Sequence, residues 1–158
     1  MKKILAYLIL MVFATLGFAQ DIVVQGSVSF DFEKHCKIRA GEEYQSYITS
    51  DDDAVNIDIK KLKKNSYWSI AVSKRDVDWD NRVKIFVCRS SDGNANYNNK
   101  RWVAGGTNFQ RINNIPSYFF RGYEKVNNID LQYQLRGLSA NLESKTYYTN
   151  IVYTLYED

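Results

Sequence analysis

The stretch IDLQYQL at residues 129–135 decides the fold class, because its apolar and polar residues alternate strictly. Ile129, Leu131, Tyr133 and Leu135 share one parity, and acidic or amide residues fill the positions between them. Successive side chains of a β-strand point to opposite faces of a sheet. This stretch therefore predicts a strand with one packed face and one solvated face.

The same period of two recurs along the chain. It predicts strands at residues 22–32, 55–60, 68–73, 83–88, 129–135 and 147–156, with shorter candidates at 109–112 and 118–121. Clusters of Asn, Asp, Gly and Lys separate these runs, and no stretch keeps a helical period over three turns. Seven to nine short strands predict an all-β fold, an immunoglobulin-like Greek-key β-sandwich.

The first 19 residues predict a signal peptide. Met-Lys-Lys is followed by an uncharged apolar run from Ile4 to Phe18, and Gly17 and Ala19 supply the small residues of a cleavage site before Gln20. The remaining residues, 20–158, are expected to form a single domain that is exported to the periplasm, the cell surface or the medium. No second long apolar run follows, so no membrane span is expected after signal removal.

Charge and motif content exclude several classes of function. Lys and Arg number 21 and Asp and Glu number 18, so loss of Lys2 and Lys3 leaves 19 against 18, a net charge of +1. This balance is a poor match for the phosphates of a nucleic acid. One His cannot build a multi-His metal site, and no phosphate loop, nucleophile elbow or zinc motif is present. The sequence predicts a non-enzymatic protein without a cofactor.

Cys36 and Cys88 are the only cysteines in the chain. An even number of cysteines in an exported protein favours a disulfide, with two free thiols as the alternative. Cys88 has the opposite parity to Val83, Ile85 and Val87 in its predicted strand. If those three residues face the core, the bridge pins the segment around Cys36 to the outer side of this strand.

Two charged clusters are candidates for binding an ion or an anionic surface. Asp76, Asp78 and Asp80 have the alternate spacing of calcium ligands, but Asn81 stands where such loops have glycine, so they are weak calcium candidates and a polar turn is favoured. The second cluster is basic and comprises Lys60, Lys61, Lys63 and Lys64. It could contact an anionic surface, but the sequence favours a solvated hairpin tip.

The C-terminal part of the chain resembles secreted domains of the spore-coat-protein-U-like and fimbrial-subunit-like families. The likeness covers residues 118–156 and rests on four segments: YFFRGY at 118–123, IDLQYQL at 129–135, GLSANL at 137–142 and YYTNIVYTL at 147–155. In those families the final strands complete an immunoglobulin-like sandwich that serves in a coat or a surface appendage. The resemblance implies a structural or adhesive role.

Two hypotheses for function follow. In the first, the protein is a structural or adhesive component of the cell envelope or of a surface appendage. Its partners are then copies of itself or other envelope proteins, joined by strand addition. The candidate donor or edge strand has apolar residues at Ile22, Val24, Val28 and Phe30.

The alternative is a secreted module that binds a glycan or a small ligand. The chain has 12 tyrosines, and an Asn-rich stretch precedes Trp102. Aromatic rings offer faces for stacking, and amides offer fixed hydrogen bonds. The candidate ligand-binding residues are Trp79, Tyr97 and Trp102, provided that their rings lie exposed together.

Overall fold

A computed structural model describes residues 21–31, 47–139, 142–143 and 145–158 of the chain. The predicted signal peptide and Cys36 lie outside these residues. Among them the regular structure is β, apart from one turn of 3₁₀ helix at Tyr97–Asn99. The strands are β1 (Asp21–Gly26), β2 (Tyr47–Thr49), β3 (Val55–Lys60), β4 (Tyr67–Asp78), β5 (Lys84–Arg89), β6 (Trp102–Gly105), β7 (Gln110–Arg111), β8 (Ser117–Tyr123), β9 (Ile129–Arg136) and β10 (Tyr148–Glu157).

These strands form two antiparallel sheets that pack face to face, so the predicted all-β sandwich is confirmed. Sheet A has the order β1-β3-β9-β5-β7, and β2 also pairs with β9. Sheet B has the order β10-β4-β8-β6. β2 and β3 pair with successive parts of β9, so they act as one long strand that is interrupted at residues 50–54.

The chain winds between the sheets in a regular way. From β4 to β10, each strand lies in the opposite sheet from the strand before it. The pairs β5–β7, β4–β8 and β3–β9 are nested about β6, as in a long hairpin that has been rolled up. An immunoglobulin domain instead keeps several chain neighbours side by side in one sheet, so this winding is closer to that of a jelly roll.

The core lies between the sheets and follows the alternation of the sequence. Sheet A contributes Ile129, Leu131, Tyr133 and Leu135 of β9, which are all buried. Sheet B contributes residues that include the indole of Trp68, which is 1% exposed on the central strand β4. The largest fully buried side chains also include Phe119, Phe120, Ile57, Ile59, Ile70, Ile112, Val72, Val87 and Val126.

The observed strands differ from the predicted ones in a few places. There are ten strands among the described residues rather than seven to nine, because β2 and β6 were not predicted. The predicted strand at 22–32 ends at Gly26, which has a φ of +112°. A Cβ atom there would lie 2.6 Å from the carbonyl oxygen of Ala54. Only glycine allows the backbone at residue 26 to pass this close to Ala54 without strain, and β1 ends at this point.

Candidate binding surface

The outward face of sheet B carries several aromatic side chains. Tyr67 of β4 lies opposite Tyr123 of β8, and Tyr123 lies opposite Trp102 of β6. Residues directly opposite each other in a sheet point to the same side. These three rings therefore form one row, and two further tyrosines lie on the same side. We call this surface the aromatic face and define it by Tyr67, Trp102, Tyr118, Tyr123 and Tyr156.

The sequence of β4 sets this orientation. Trp68, Ile70 and Val72 point into the core, and the residues between them must therefore point outward. A register shift between Ile70 and Ala71 brings Tyr118 opposite Ala71, and so to the outward side. The same rule places Tyr156 outward, because it lies opposite Ser69.

The rings of this face contact one another at one end and stand free at the other. The ring centroid of Tyr67 lies 6.1 Å from that of Trp102 and 4.7 Å from that of Tyr123. Tyr67, Tyr118 and Tyr156 are exposed by 54%, 55% and 50%. Three large rings on one side of one sheet are thus at least half exposed to solvent.

A shallow groove runs between the rings along β4. Its floor includes Ser69 and Ala71, and its sides include Pro116, Tyr118 and Tyr156. The two tyrosines lie on strands to either side of β4, so they are about 10 Å apart across the sheet. The small residues of the floor leave room for a ligand between the rings.

Arg121 supplies a cation beside the groove. It lies on β8 directly opposite Ser69 and is exposed. Its side chain forms no ion pair with any other described residue. A guanidinium group with free donors binds hydroxyl and carboxylate oxygens. The face therefore offers flat apolar surfaces next to hydrogen-bond donors.

The structure does not bring the three predicted ligand-binding rings together. Trp102 belongs to the aromatic face. Trp79 follows the other end of β4, roughly 35 Å away along the strand direction; its Nε1 donates a hydrogen bond of 2.9 Å to the carbonyl oxygen of Val83. Tyr97 lies in the 3₁₀ turn and is 65% exposed, and its hydroxyl donates to Asp92.

Sequence reasoning missed the other four rings of the face. The side of the sheet to which each ring points can be read from its strand once one inward residue is known. For example, Trp68 points inward, so its neighbour Tyr67 must point outward. The register that aligns β4 with β6, β8 and β10 depends on long-range pairing, and the sequence carries no local signal for it.

The predicted polar turn at the candidate calcium ligands is wrong for Asp76 and Asp78, which lie in β4, whereas Asp80 follows the strand. Each of the three carboxylates has a cation of its own. Asp76 pairs with Lys74, Asp78 with Lys145, and Asp80 with Arg82. Hydrogen bonds from Arg82 lower the pKa of Asp80 to about 2.

Burial raises the pKa of Asp76, but hydrogen bonds from Lys74, Asn114 and Thr149 outweigh it and lower the pKa below its usual value. In the described part of the chain no three acidic, His or Cys residues gather into a metal-binding group.

Cys88 lies on the outer side of sheet A, as its parity predicts. Val83, Ile85 and Val87 belong to the core cluster, whereas the Sγ of Cys88 lies 3.9 Å from Oε1 of Gln132. The thiol is buried and forms no disulfide with a described residue, and burial, together with the nearby charge of Asp52, raises its pKa. The predicted partner Cys36 is not among the described residues, so the disulfide stays a prediction.

The candidate donor strand lies at a sheet edge. β1 pairs only with β3 and carries Ile22 and Val24, which is 43% exposed. Val28 and Phe30 follow the end of β1 and pack against the core together with Ile22. Sheet B has its own edge at β10, a strand of ten residues that pairs only with β4.

No protein-family model matches the chain, and neither the search of curated proteins nor that of solved structures found a match. The described residues form no helix that is long and apolar enough to cross a membrane.

Proposed function

We propose that this chain is an exported, non-catalytic adhesive protein that binds a carbohydrate chain through its aromatic face. The observation that supports this function is the set of three tyrosines, Tyr67, Tyr118 and Tyr156, that are at least half exposed on one side of sheet B. Exposed aromatic rings grouped on one face are unusual for a soluble surface without a partner.

The chemistry of the face favours a sugar. The C–H groups of a pyranose ring carry partial positive charge and stack on the negative face of an aromatic ring. Between the tyrosines the outward positions are small or polar, as at Ser69, Ala71 and Thr154. A protein partner would be expected to meet a more continuous apolar core.

The test is binding of the mature protein to a panel of neutral polysaccharides in affinity gels or by calorimetry. We expect Tyr118→Ala and Tyr156→Ala each to weaken binding about tenfold, because each removes one stacking surface worth about 1.4 kcal/mol. The matched control is Tyr148→Ala, since Tyr148 is 61% exposed and lies at the other end of β10.

Two results would contradict the proposal. One is failure of the intact protein to bind any polysaccharide of the panel. The other is an equal loss of affinity in Tyr148→Ala, which would mean that exposed tyrosines contribute without regard to position.

A second candidate function is assembly with other envelope proteins by strand addition. The observation in its favour is that β1 and β10 both lie at sheet edges, where unpaired backbone groups can accept another strand. Deletion of residues 20–30 is expected to abolish assembly. It also removes Ile22, Val28 and Phe30 from the core, so a milder variant is needed.

Val24→Lys is that variant. A lysine on an exposed edge strand opposes the addition of a further strand while leaving the fold intact. We expect a shift from oligomer to monomer in light scattering at high protein concentration, with an unchanged circular dichroism spectrum. A mature protein that is already a monomer at high concentration would disprove strand-addition assembly.

A further inference from the structure

The outward face of sheet A carries three cations around one aromatic ring. Lys84 lies directly opposite Arg136, and Arg111 lies directly opposite Phe86. All three cationic residues are exposed. We call this group the basic patch and define it by Lys84, Phe86, Arg111 and Arg136.

The arrangement places like charges next to each other, and no carboxylate of a described residue pairs with them. Directly opposed residues of like charge on a sheet destabilise the pairing of their strands. Lys84 and Arg111 form no ion pair with any described residue, and Arg136 has only a neutral hydrogen-bond partner. The next outward carboxylates on this sheet, Asp52 and Asp130, lie toward its other end.

The basic hairpin tip at residues 60–64 differs from the basic patch, because two of its lysines form ion pairs. There Lys60 pairs with Asp58 at 3.0 Å, and Lys61 pairs with Asp21 at 3.1 Å. Half of that cluster is therefore neutralised by its own sheet. Among the described residues the basic patch has no such partners, so its positive potential is available to a ligand.

Arg136 is held in a defined orientation. Its guanidinium carbon lies 4.1 Å from the ring centroid of Phe86, and its Nε donates a hydrogen bond of 2.6 Å to the side-chain oxygen of Gln134. The two terminal nitrogens donate to none of the residues that the structure describes. A stacked and oriented guanidinium presents a planar pair of donors, which suits the two oxygens of a carboxylate.

We propose that the basic patch binds an acidic polysaccharide through the carboxylates of its sugar residues. Neighbouring strands are about 5 Å apart, so the three cations meet successive charges of a chain that crosses β7, β5 and β9. This binding is independent of the proposed function, since the aromatic face lies on the opposite side of the sandwich. The protein then has two carbohydrate-binding faces of different chemistry.

Other anionic partners fit the patch less well. A lipid surface is usually held by apolar side chains as well as by charge. Arg136 covers the ring of Phe86, and the exposed Tyr47 lies opposite Arg136 on β9, so the patch offers little apolar surface to a lipid. A nucleic acid is opposed by the net charge of the mature chain, which is only +1 by the count of 19 cations and 18 anions.

The experiment measures the affinity of the intact mature protein for polygalacturonate and for the same polymer after reduction of its carboxyl groups, at low salt. The test variant is Lys84→Gln with Arg111→Gln, because both side chains are exposed and neither forms an ion pair with a residue in the described part of the chain. We expect at least a tenfold loss of affinity for polygalacturonate, a weaker salt dependence of binding, and little binding of the reduced polymer by either protein.

The control variant is Lys63→Gln with Lys64→Gln, which removes the same charge from the hairpin tip. It is expected to keep the affinity for polygalacturonate, as is Tyr118→Ala on the aromatic face. Retained binding in Tyr118→Ala separates this inference from the proposed function.

Three results would overturn the inference. The first is an equal loss of affinity in the hairpin-tip variant, which would reflect net charge alone. The second is equal binding of the carboxyl-reduced polymer. The third is that the wild-type protein does not bind polygalacturonate but binds vesicles of anionic phospholipid, and that the test variant loses this vesicle binding.

Discussion

At the scale of single residues, Gly122 of β8 allows the indole of Trp68 and the backbone of β6 to pack directly against its own backbone. A Cβ atom at this position would lie 2.6 Å from the carbonyl oxygen of Trp102 and 2.7 Å from Cε2 of Trp68. The indole of Trp68 cannot retreat, because it is buried and its Nε1 donates a hydrogen bond of 2.7 Å to the carbonyl oxygen of Glu124.

We therefore predict that Gly122→Ala destabilises the protein by about 3 kcal/mol, at the upper end of the usual cost of overpacking a core. The measurement is the free energy of unfolding in urea. In a double-mutant cycle with Trp68→Phe the two costs should be less than additive, because the smaller ring makes room for the methyl group. Full additivity would mean that the clash is relieved in another way.

A second prediction at this scale concerns pH. The hydroxyls of Tyr133 and Tyr153 are hydrogen-bonded to each other between the sheets. Burial raises the pKa of Tyr133 from 10 to about 12, although the bond to Tyr153 works in the opposite direction. Burial also raises the pKa of Tyr153 well above its usual value.

The direction of these shifts fixes the pH dependence of stability. Above pH 10 an unfolded tyrosine loses its proton while the folded one keeps it, so protons bind more tightly to the folded state. The stabilisation is complete below pH 10 and is lost as the pH rises toward 12. We expect Tyr133→Phe to reduce the fall in unfolding free energy between pH 9 and pH 11, and the exposed control Tyr148→Phe to leave it unchanged.

At the scale of strands, Arg89 joins the end of β5 in sheet A to the end of β6 in sheet B. Its side chain is 5% exposed. Its Nε donates a hydrogen bond of 2.8 Å to the carbonyl oxygen of Gly105, and one terminal nitrogen donates to the carbonyl oxygen of Ser91 and to Asp92. β6 is a short edge strand, so this link is an important part of its support.

We predict that Arg89→Met costs about 2 kcal/mol, because it removes the donor from two part-buried hydrogen bonds, those to the carbonyl oxygens of Gly105 and Ser91. Hydrogen exchange at Val103 should rise more than exchange at residues of β9, since β6 loses its link first. Arg75→Met, a change at an exposed arginine of β4, should alter stability by less than about 0.5 kcal/mol. Uniform loss of protection across both sheets would contradict this local role.

The sequence predicted β9 and β10 well, but it predicted only residues 68–73 of the twelve-residue β4 and missed the short strands β2 and β6. β9 buries one side over its eight residues, and β10 packs one side, partly buried, against the core over its ten, so their alternation is plain. β2 has three residues and β6 has four, ending at Gly105, and neither is long enough to show a period. Their pairing with β9 and β8 makes them strands, and that pairing depends on the whole fold.

At the scale of the whole molecule, the winding explains why neither binding surface could be read from the sequence. The rings of the aromatic face come from four strands that span residues 67–156, and the cations of the basic patch come from three strands. Each strand supplies one or two residues in the correct parity. Only the alternation of the chain between sheets brings them side by side, and no local pattern encodes that order.

The predicted Cys36–Cys88 disulfide also belongs to this scale. Because Cys88 lies on the outer side of β5, a bridge to Cys36 would attach the segment before β2 to the surface of sheet A instead of crossing the core. Closure of a loop of this length contributes about 4 kcal/mol in the chain-entropy model. Reduction should therefore lower the unfolding free energy by up to that amount and loosen the N-terminal region, while the core of the sandwich keeps its packing.

The measurement is alkylation of the exported protein after unfolding without a reductant, which makes the buried Cys88 accessible, followed by mass determination. We expect no label on either cysteine until a reductant is added. The control is Cys36→Ser, in which Cys88 should take up one label without reduction and the midpoint of urea unfolding should match that of the reduced wild-type protein. Quantitative labelling of both thiols in the wild-type protein, unfolded but not reduced, would show that Cys88 is a buried free thiol in the folded protein. In that case sheet A is held by its packing and hydrogen bonds alone.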